Sequence, residues 1–151
     1  MLTTMARQVA VIGSGAEWET AAHEVGRLLA ESGCTVITGG LGEVMAAAHR
    51  GAKSAGGTTI AILPGEDRTA ANPWADHVVV TGIGHARNLA VAATGDAAIA
   101  VGGGYGTLAE MALALRLGRM VVALEGAPEV DGALRATTPA EAVELALRHR
   151  G

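Results

Sequence analysis

The sequence predicts an α/β domain on a doubly wound, mostly parallel sheet of about six strands, and three observations predict it. Short runs such as "QVAVIG" (8–13), "TVIT" (35–38) and "AAIAV" (97–101) are apolar throughout, the pattern of strands covered on both faces rather than one. Between them lie segments with apolar residues at helical spacing,. Glycine-rich turns close three of the strands.

In order along the chain, the first strand (8–13) ends in Gly13-Ser14-Gly15, and Trp18, Ala21, Ala22, Val25, Leu28 and Leu29 mark a helix stopped at Gly33,. The second strand (35–38) is again followed by glycines, and 43–57 is a helix ending in a glycine pair. A third strand (58–63) stops at Pro64, 65–76 has loop chemistry, and 77–81 is a short strand,. Residues 85–94 are helical, 97–101 is a strand, and 107–117 is a helix with Leu108, Met111, Ala112 and Leu115 on one face. The last strand is 120–124. A closing helix (137–149) opens with Thr138, Pro139 and Glu141, a capping box with proline at the first helical position,. No repeat, linker or low-complexity segment interrupts the pattern, so residues 1–151 read as one domain,.

Composition narrows the function. Half of the 151 residues are hydrophobic, enough for a full core,. Aromatic residues are few (Trp18, Trp74, Tyr105), and 22 glycines suit close-packed helices and tight turns. The net charge is −4 and the basic residues are scattered, which leaves neither a basic stripe nor a stacking platform for nucleic acid,. Cys34 is the only cysteine, and His23, His49, His77, His85 and His149 lack ligand spacing, so no disulfide or metal site is expected,. The amino-terminal apolar run is too short for a signal peptide, and no segment reaches the roughly 18 apolar residues of a membrane span. A cytoplasmic protein is expected. So apolar a small chain is also expected to bury surface in a dimer or larger assembly.

Ligands of such sheets sit beyond the carboxyl ends of the strands, where strand order reverses. Three glycine turns lie there: Gly13-Ser14-Gly15, Gly39-Gly40-Leu41-Gly42 and Gly102 to Gly106. Each precedes a helix whose unpaired N–H groups attract an anion. One such turn is an ordinary connection; three together describe a crevice for phosphate. A dinucleotide fits poorly, because "GSGAEW" lacks the third fingerprint glycine and Thr38-Gly39 stands where a ribose-binding acid belongs,. No Gly-Lys-Ser/Thr forms a P-loop, and Lys53, the only lysine, lies late in a helix, which disfavours pyridoxal-phosphate chemistry.

The segment "GGGYGTLAE" (102–110) resembles the Pro-Gly-Gly-x-Gly-Thr-x-x-Glu motif of the LOG ("lonely guy") phosphoribohydrolases, with Gly102 in place of proline. In "GHARN", Arg87 stands fifteen residues before Gly102, the spacing of that family's arginine, with Asn88 for its usual lysine. "TGGLGEVMAAAHRGA" is similar to its first glycine motif, with Glu43 where glycine is normal. Length and the elements "ILPGED", "NPW" and "TGIGHARN" resemble a shorter branch that includes the molybdenum-cofactor carrier proteins. The likeness runs from about residue 8 to residue 124.

This resemblance implies a Rossmann-like domain, assembled as a homodimer or homotetramer, with a small phosphorylated ligand at the turns. In the hydrolases the motif arginine and glutamate cleave the N-glycosidic bond of a nucleoside 5′-monophosphate, releasing base and ribose 5-phosphate without a cofactor. Carried over, Arg87 and Glu110 are the catalytic pair, and Gly103, Gly104, Gly106 and Thr107 hold the phosphate. Gly13, Ser14, Gly15, Gly39, Gly40, Asn88 and Tyr105 complete the candidate site. The carrier branch implies the alternative: a non-catalytic carrier or sensor with molybdenum cofactor, or another phosphorylated pterin or nucleotide, as cargo.

Plainer readings compete. Thr107 and Glu110 have the spacing of a capping box. Arg87 alone fits a carbonyl cap or a surface ion pair. Asn88 suits local backbone bonding and Asp96 a turn. Tyr105 suits stacking on a ligand ring or packing, Trp18 the core, Trp74 a pocket or interface, and Cys34 a small buried apolar residue. The histidines read as structural.

Overall fold

A computed structural model describes residues 5–148. Its strands are β1 (Gln8–Ser14), β2 (Thr35–Thr38), β3 (Thr59–Leu63), β4 (His77–Val80), β5 (Ala97–Gly102), β6 (Met120–Ala123) and β7 (Leu134–Arg135). Its helices are α1 (Glu19–Glu31), α2 (Glu43–Ser54), α3 (Arg87–Thr94), α4 (Tyr105–Arg116) and α5 (Pro139–Arg148). The strands form one sheet in the order β4-β3-β2-β1-β5-β6-β7, and every adjacent pair is parallel.

The continuous apolar character of the strands follows from this layering. Val9, Val11, Ile99 and Val101 point to one face, packed with α1, α2 and α5. Ala10, Ile12, Ala98 and Ala100 point to the other, under α3 and α4. The helices approach closely where glycine permits it: a Cβ on Gly26 of α1 would lie 1.9 Å from the Ala48 carbonyl oxygen of α2. Thr138 caps α5, its Oγ1 accepting the Glu141 N–H at 3.1 Å. The Glu141 carboxylate accepts from Thr137 N–H at 2.8 Å.

The sheet departs from the expected pattern in places. The strand at 120–124 is not the last, because β7 adds a seventh. It has two exposed residues, paired with β6 through Val122↔Leu134 and Ala123↔Arg135, too short for any periodicity to show. Helix α2 stops at Ser54 and α4 starts at Tyr105. Trp18 lies in a 3₁₀ turn before α1 rather than inside it. His149 lies outside the described residues.

Strand order reverses between β1 and β5, whose register pairs Gly13 with Val101 and Ser14 with Gly102. The turn after β1 is thereby set beside the turn after β5. Among the described residues no helix is long and apolar enough to cross a membrane.

Candidate functional site

A cavity of about 290 Å³ opens at the reversal point. Gly13 and Ser14 line it from the end of β1, and Arg87 and Asn88 from the start of α3. Gly104, Tyr105, Gly106, Thr107 and Glu110 line it from α4. His85 and Met45 also face it, and sequence reasoning passed over both. The only hint for His85 was its place two residues before Arg87; Met45 on α2 offered none.

Gly104 is the N-cap of α4, and no side chain caps the helix. The first N–H groups of a helix have no acceptor within it, so here they are presented at the cavity together with the positive end of the helix dipole. A Cβ added at Gly104 or Gly106 would meet no atom within 4 Å. Tyr105 between them is 91% exposed, so it does not pack in the core. The two preceding glycines answer to the protein instead. Gly103 (φ +116°) lies against Thr107, whose Oγ1 would stand 2.2 Å from a Cβ there. Gly102 (φ +61°) lies against Trp18, at 2.1 Å from Cδ1. Proline holds φ near −65°, so this backbone requires glycine where the resembling motif has proline.

Arg87, the first residue of α3, is 8% exposed, and its Nε and Nη1 are buried without a hydrogen-bond partner. Its Nη1 rests on Gly39, where an added Cβ would lie 1.7 Å away. Glu110 is 4% exposed. No salt bridge within 4 Å joins the two side chains, in contrast to pairs such as Lys53–Asp76. Burial pushes the Glu110 carboxyl up to about 7, against the opposing pull of the Arg87 charge. Burial likewise lowers the Arg87 guanidinium, with Glu110 opposing. A carboxyl group near neutrality beside an unpaired guanidinium is chemistry that burial produces and solvent would erase.

Two plainer readings fail on this geometry. The capping box at Thr107 and Glu110 does not form, because α4 starts earlier and leaves both residues inside the helix, buried. Arg87 is neither a carbonyl cap nor half of a surface ion pair. Others hold. Asp96 accepts the Gln8 N–H at 2.9 Å as a turn residue, and Cys34 is buried. Lys53 donates to Asp76 at 2.8 Å, away from the crevice. Trp74 lines a separate hollow of about 400 Å³ with Arg50 stacked 5.5 Å from its ring centre. Among the described residues no group of three or more His, Cys, Asp or Glu is placed to hold a metal.

The expected phosphate residues do not all reach the cavity. Gly15, Gly39, Gly40 and Gly103 lie outside its lining. Gly39 is covered by Arg87, and Gly40 (φ +81°) faces Ala61 and Leu63, each 2.7 Å from a Cβ placed there. Gly13 lines the cavity with its backbone, while its missing Cβ makes room for the Val101 carbonyl at 1.9 Å.

The SLOG cluster4 family model matches residues 6–147. An uncharacterized protein of Archaeoglobus fulgidus is 44% identical over 143 residues, covering 93% of this chain and 94% of that one. The molybdenum cofactor binding protein of the phototrophic bacterium Rippkaea orientalis is 31% identical with a TM-score of 0.88, over 95% of this chain and 96% of that one. The molybdenum cofactor carrier protein of Chlamydomonas reinhardtii is 34% identical with a TM-score of 0.83, over 92% and 94%. With this match, and with the Rossmann-like architecture and motif turns above, the chain belongs to the SLOG cluster4 family of the LOG-like superfamily.

Proposed function

We propose that this protein binds a small phosphorylated molecule in the crevice, with the phosphate on the amino-terminal end of α4 and against Arg87. The observation that carries this reading is a buried arginine whose Nε and Nη1 have no hydrogen-bond partner, lining one crevice with two glycines, Gly104 and Gly106, whose missing side chains face open space. A buried charge without a partner is costly, and a phosphate would supply one through paired N–H···O bonds. The favoured occupant is a phosphorylated pterin or nucleotide held as cargo. Its support is the 31–34% identity to proteins described as molybdenum cofactor binding and carrier proteins.

A second reading rests on Glu110. Cleavage of an N-glycosidic bond builds positive charge on the ribose, which a nearby carboxylate stabilises. Water would then give its hydroxyl to C1′ and its proton to the leaving base. Glu110 is buried in the right crevice, and its carboxyl titrates near pH 7. Only its ionised form serves, so release would rise as pH climbs through about 7. Incubation of a nucleoside 5′-monophosphate panel with wild type and Glu110→Ala, read by chromatography, separates the readings. Free base from wild type alone makes the protein a hydrolase. Binding without release makes it a carrier or sensor, and no binding of any phosphorylated ligand overturns both.

We also propose assembly as a homodimer or homotetramer. The outer face of α4 exposes Tyr105, Leu108, Ala109 and Ala112, and the edge strand β4 exposes Val79 and Val80. Apolar surface of this kind marks an interface. Sedimentation at micromolar concentration should show at least a dimer; a monomer would contradict it.

A further inference from the structure

The Asn-Pro-Trp element at 72–74 lies in the loop between β3 and β4, outside the crevice, yet its hydrogen bonds reach the turn beneath Arg87. The Gly40 carbonyl accepts from the Asn72 backbone N–H at 2.9 Å and from Asn72 Nδ2 at 3.3 Å. Asn72 Oδ1 accepts the Trp74 N–H at 3.0 Å, which fixes the orientation of the amide. Nδ2 then stands 3.2 Å from His49 Nδ1. Nδ2 is only a donor, so His49 Nδ1 must carry the lone pair and the ring is neutral with its proton on Nε2. His49 is fully buried on α2, and its Nε2 has no hydrogen-bond partner. Burial holds its pKa down at about 4.

The same turn carries Arg87. Gly40 N–H donates to the buried Thr38 Oγ1 at 2.9 Å, so Thr38 and Asn72 hold this residue at both its polar groups. Gly39, one residue earlier, is the surface on which Nη1 rests, with Met45 Sδ alongside. Nε and Nη1 have no hydrogen bonds of their own. The plane of the guanidinium is therefore set by what it lies on, and a shift of the turn moves it.

We propose that Asn72, oriented by neutral His49, is a positioning residue of the crevice: it pins the Gly39–Gly40 turn and so sets the Arg87 guanidinium for the phosphate. This rests on the phosphate reading above. Asn72 touches no ligand and acts only through the turn.

The test titrates wild type and variants with inorganic phosphate and follows the Arg87 Nε–H resonance in the free protein by NMR. Asn72→Ala keeps the backbone N–H bond to Gly40 but loses both Nδ2 contacts; it should weaken phosphate binding severalfold, because a looser turn must be ordered on binding, and shift that resonance. Asn72→Ser, whose hydroxyl still reaches the Trp74 N–H but neither Gly40 nor His49, should do the same if Asn72→Ala fails to fold. His49→Gln keeps an acceptor for Asn72 and should bind as wild type, whereas His49→Leu should behave like Asn72→Ala. Asp76→Asn, which loosens the Lys53 pair in the same loop, should cost stability and leave affinity unchanged. A folded Asn72 variant with wild-type affinity and an unmoved Arg87 resonance overturns this proposal alone. Absence of phosphate binding by the wild type overturns it together with the phosphate reading.

Discussion

The Gly39–Gly40 turn and the Gly104–Gly106 turn look alike in sequence and differ in what their glycines make room for. At Gly39 and Gly40 the space of the absent side chains is filled by Arg87, Ala61 and Leu63. At Gly104 and Gly106 it is filled by nothing in the protein. A glycine in a turn can serve a positive φ with open space around it, as at Gly33 and Gly56, or a close approach, as at Gly39, and only the fold shows which,. The filled turn is a bearing surface for a side chain. The open one is where a molecule from outside would rest.

The largest effect expected on this contrast falls at Glu110, on the open side. Its folded pKa of about 7 lies above the ordinary value of 4.5, chiefly through burial and against the Arg87 charge. The carboxyl therefore favours folding below pH 4.5, and that contribution is lost as pH rises through 7. Glu110→Gln, neutral at every pH, should stabilise the protein by roughly 3 kcal/mol at pH 8. Near pH 4.5 the gain should vanish. A gain equal at both values, measured by denaturant unfolding, would mean that burial does not hold Glu110 protonated.

Next comes the filled turn. Gly39→Ala sets a methyl group where Arg87 Nη1 now lies. Overpacking of this kind costs about 1–3 kcal/mol, and it displaces the guanidinium, so both stability and phosphate affinity should fall. Wild-type affinity in this variant would show that Arg87 need not rest on the turn to bind.

The smallest effect sharpens the contrast most. Gly106→Ala sits near the start of α4 facing open space, and alanine gains at most about 1 kcal/mol over glycine within a helix. Thermal unfolding should show no loss of stability, while calorimetry should show weaker binding of adenosine 5′-monophosphate. Gly104→Val should likewise fold and fail to bind. Unchanged affinity in either folded variant would leave the open glycines without a ligand.

Much of the fold could be read from the residues because the buried positions of β1, β2 and β5 are apolar except for Thr38 at the end of β2, a pattern that a sheet covered on both faces demands,. Strand β7 could not, since its two exposed residues join the sheet through register alone. For the candidate site, the resemblance of "GHARN" and "GGGYGTLAE" to the LOG motifs pointed to Arg87 and Glu110, and the fold sets both in one crevice. Spacing could not tell a capping box from a buried pair, because that depends on where α4 begins, and the glycines moved its start to Tyr105. Nor could it show that Gly39 exists for Arg87, a contact between residues far apart in the chain. The hydrogen bonds from His49 through Asn72 to Gly40 join three separate segments, and no local pattern announces them.

The central claim is that the open turn at the start of α4 receives a phosphate. The most direct measurement is a backbone-amide NMR titration of the wild-type protein with adenosine 5′-monophosphate. Saturable shifts largest at Gly104, Tyr105, Gly106 and Thr107, with the amide of Gly26 between α1 and α2 unmoved, are the predicted result. Saturable shifts centred elsewhere, or none at millimolar ligand, would contradict it.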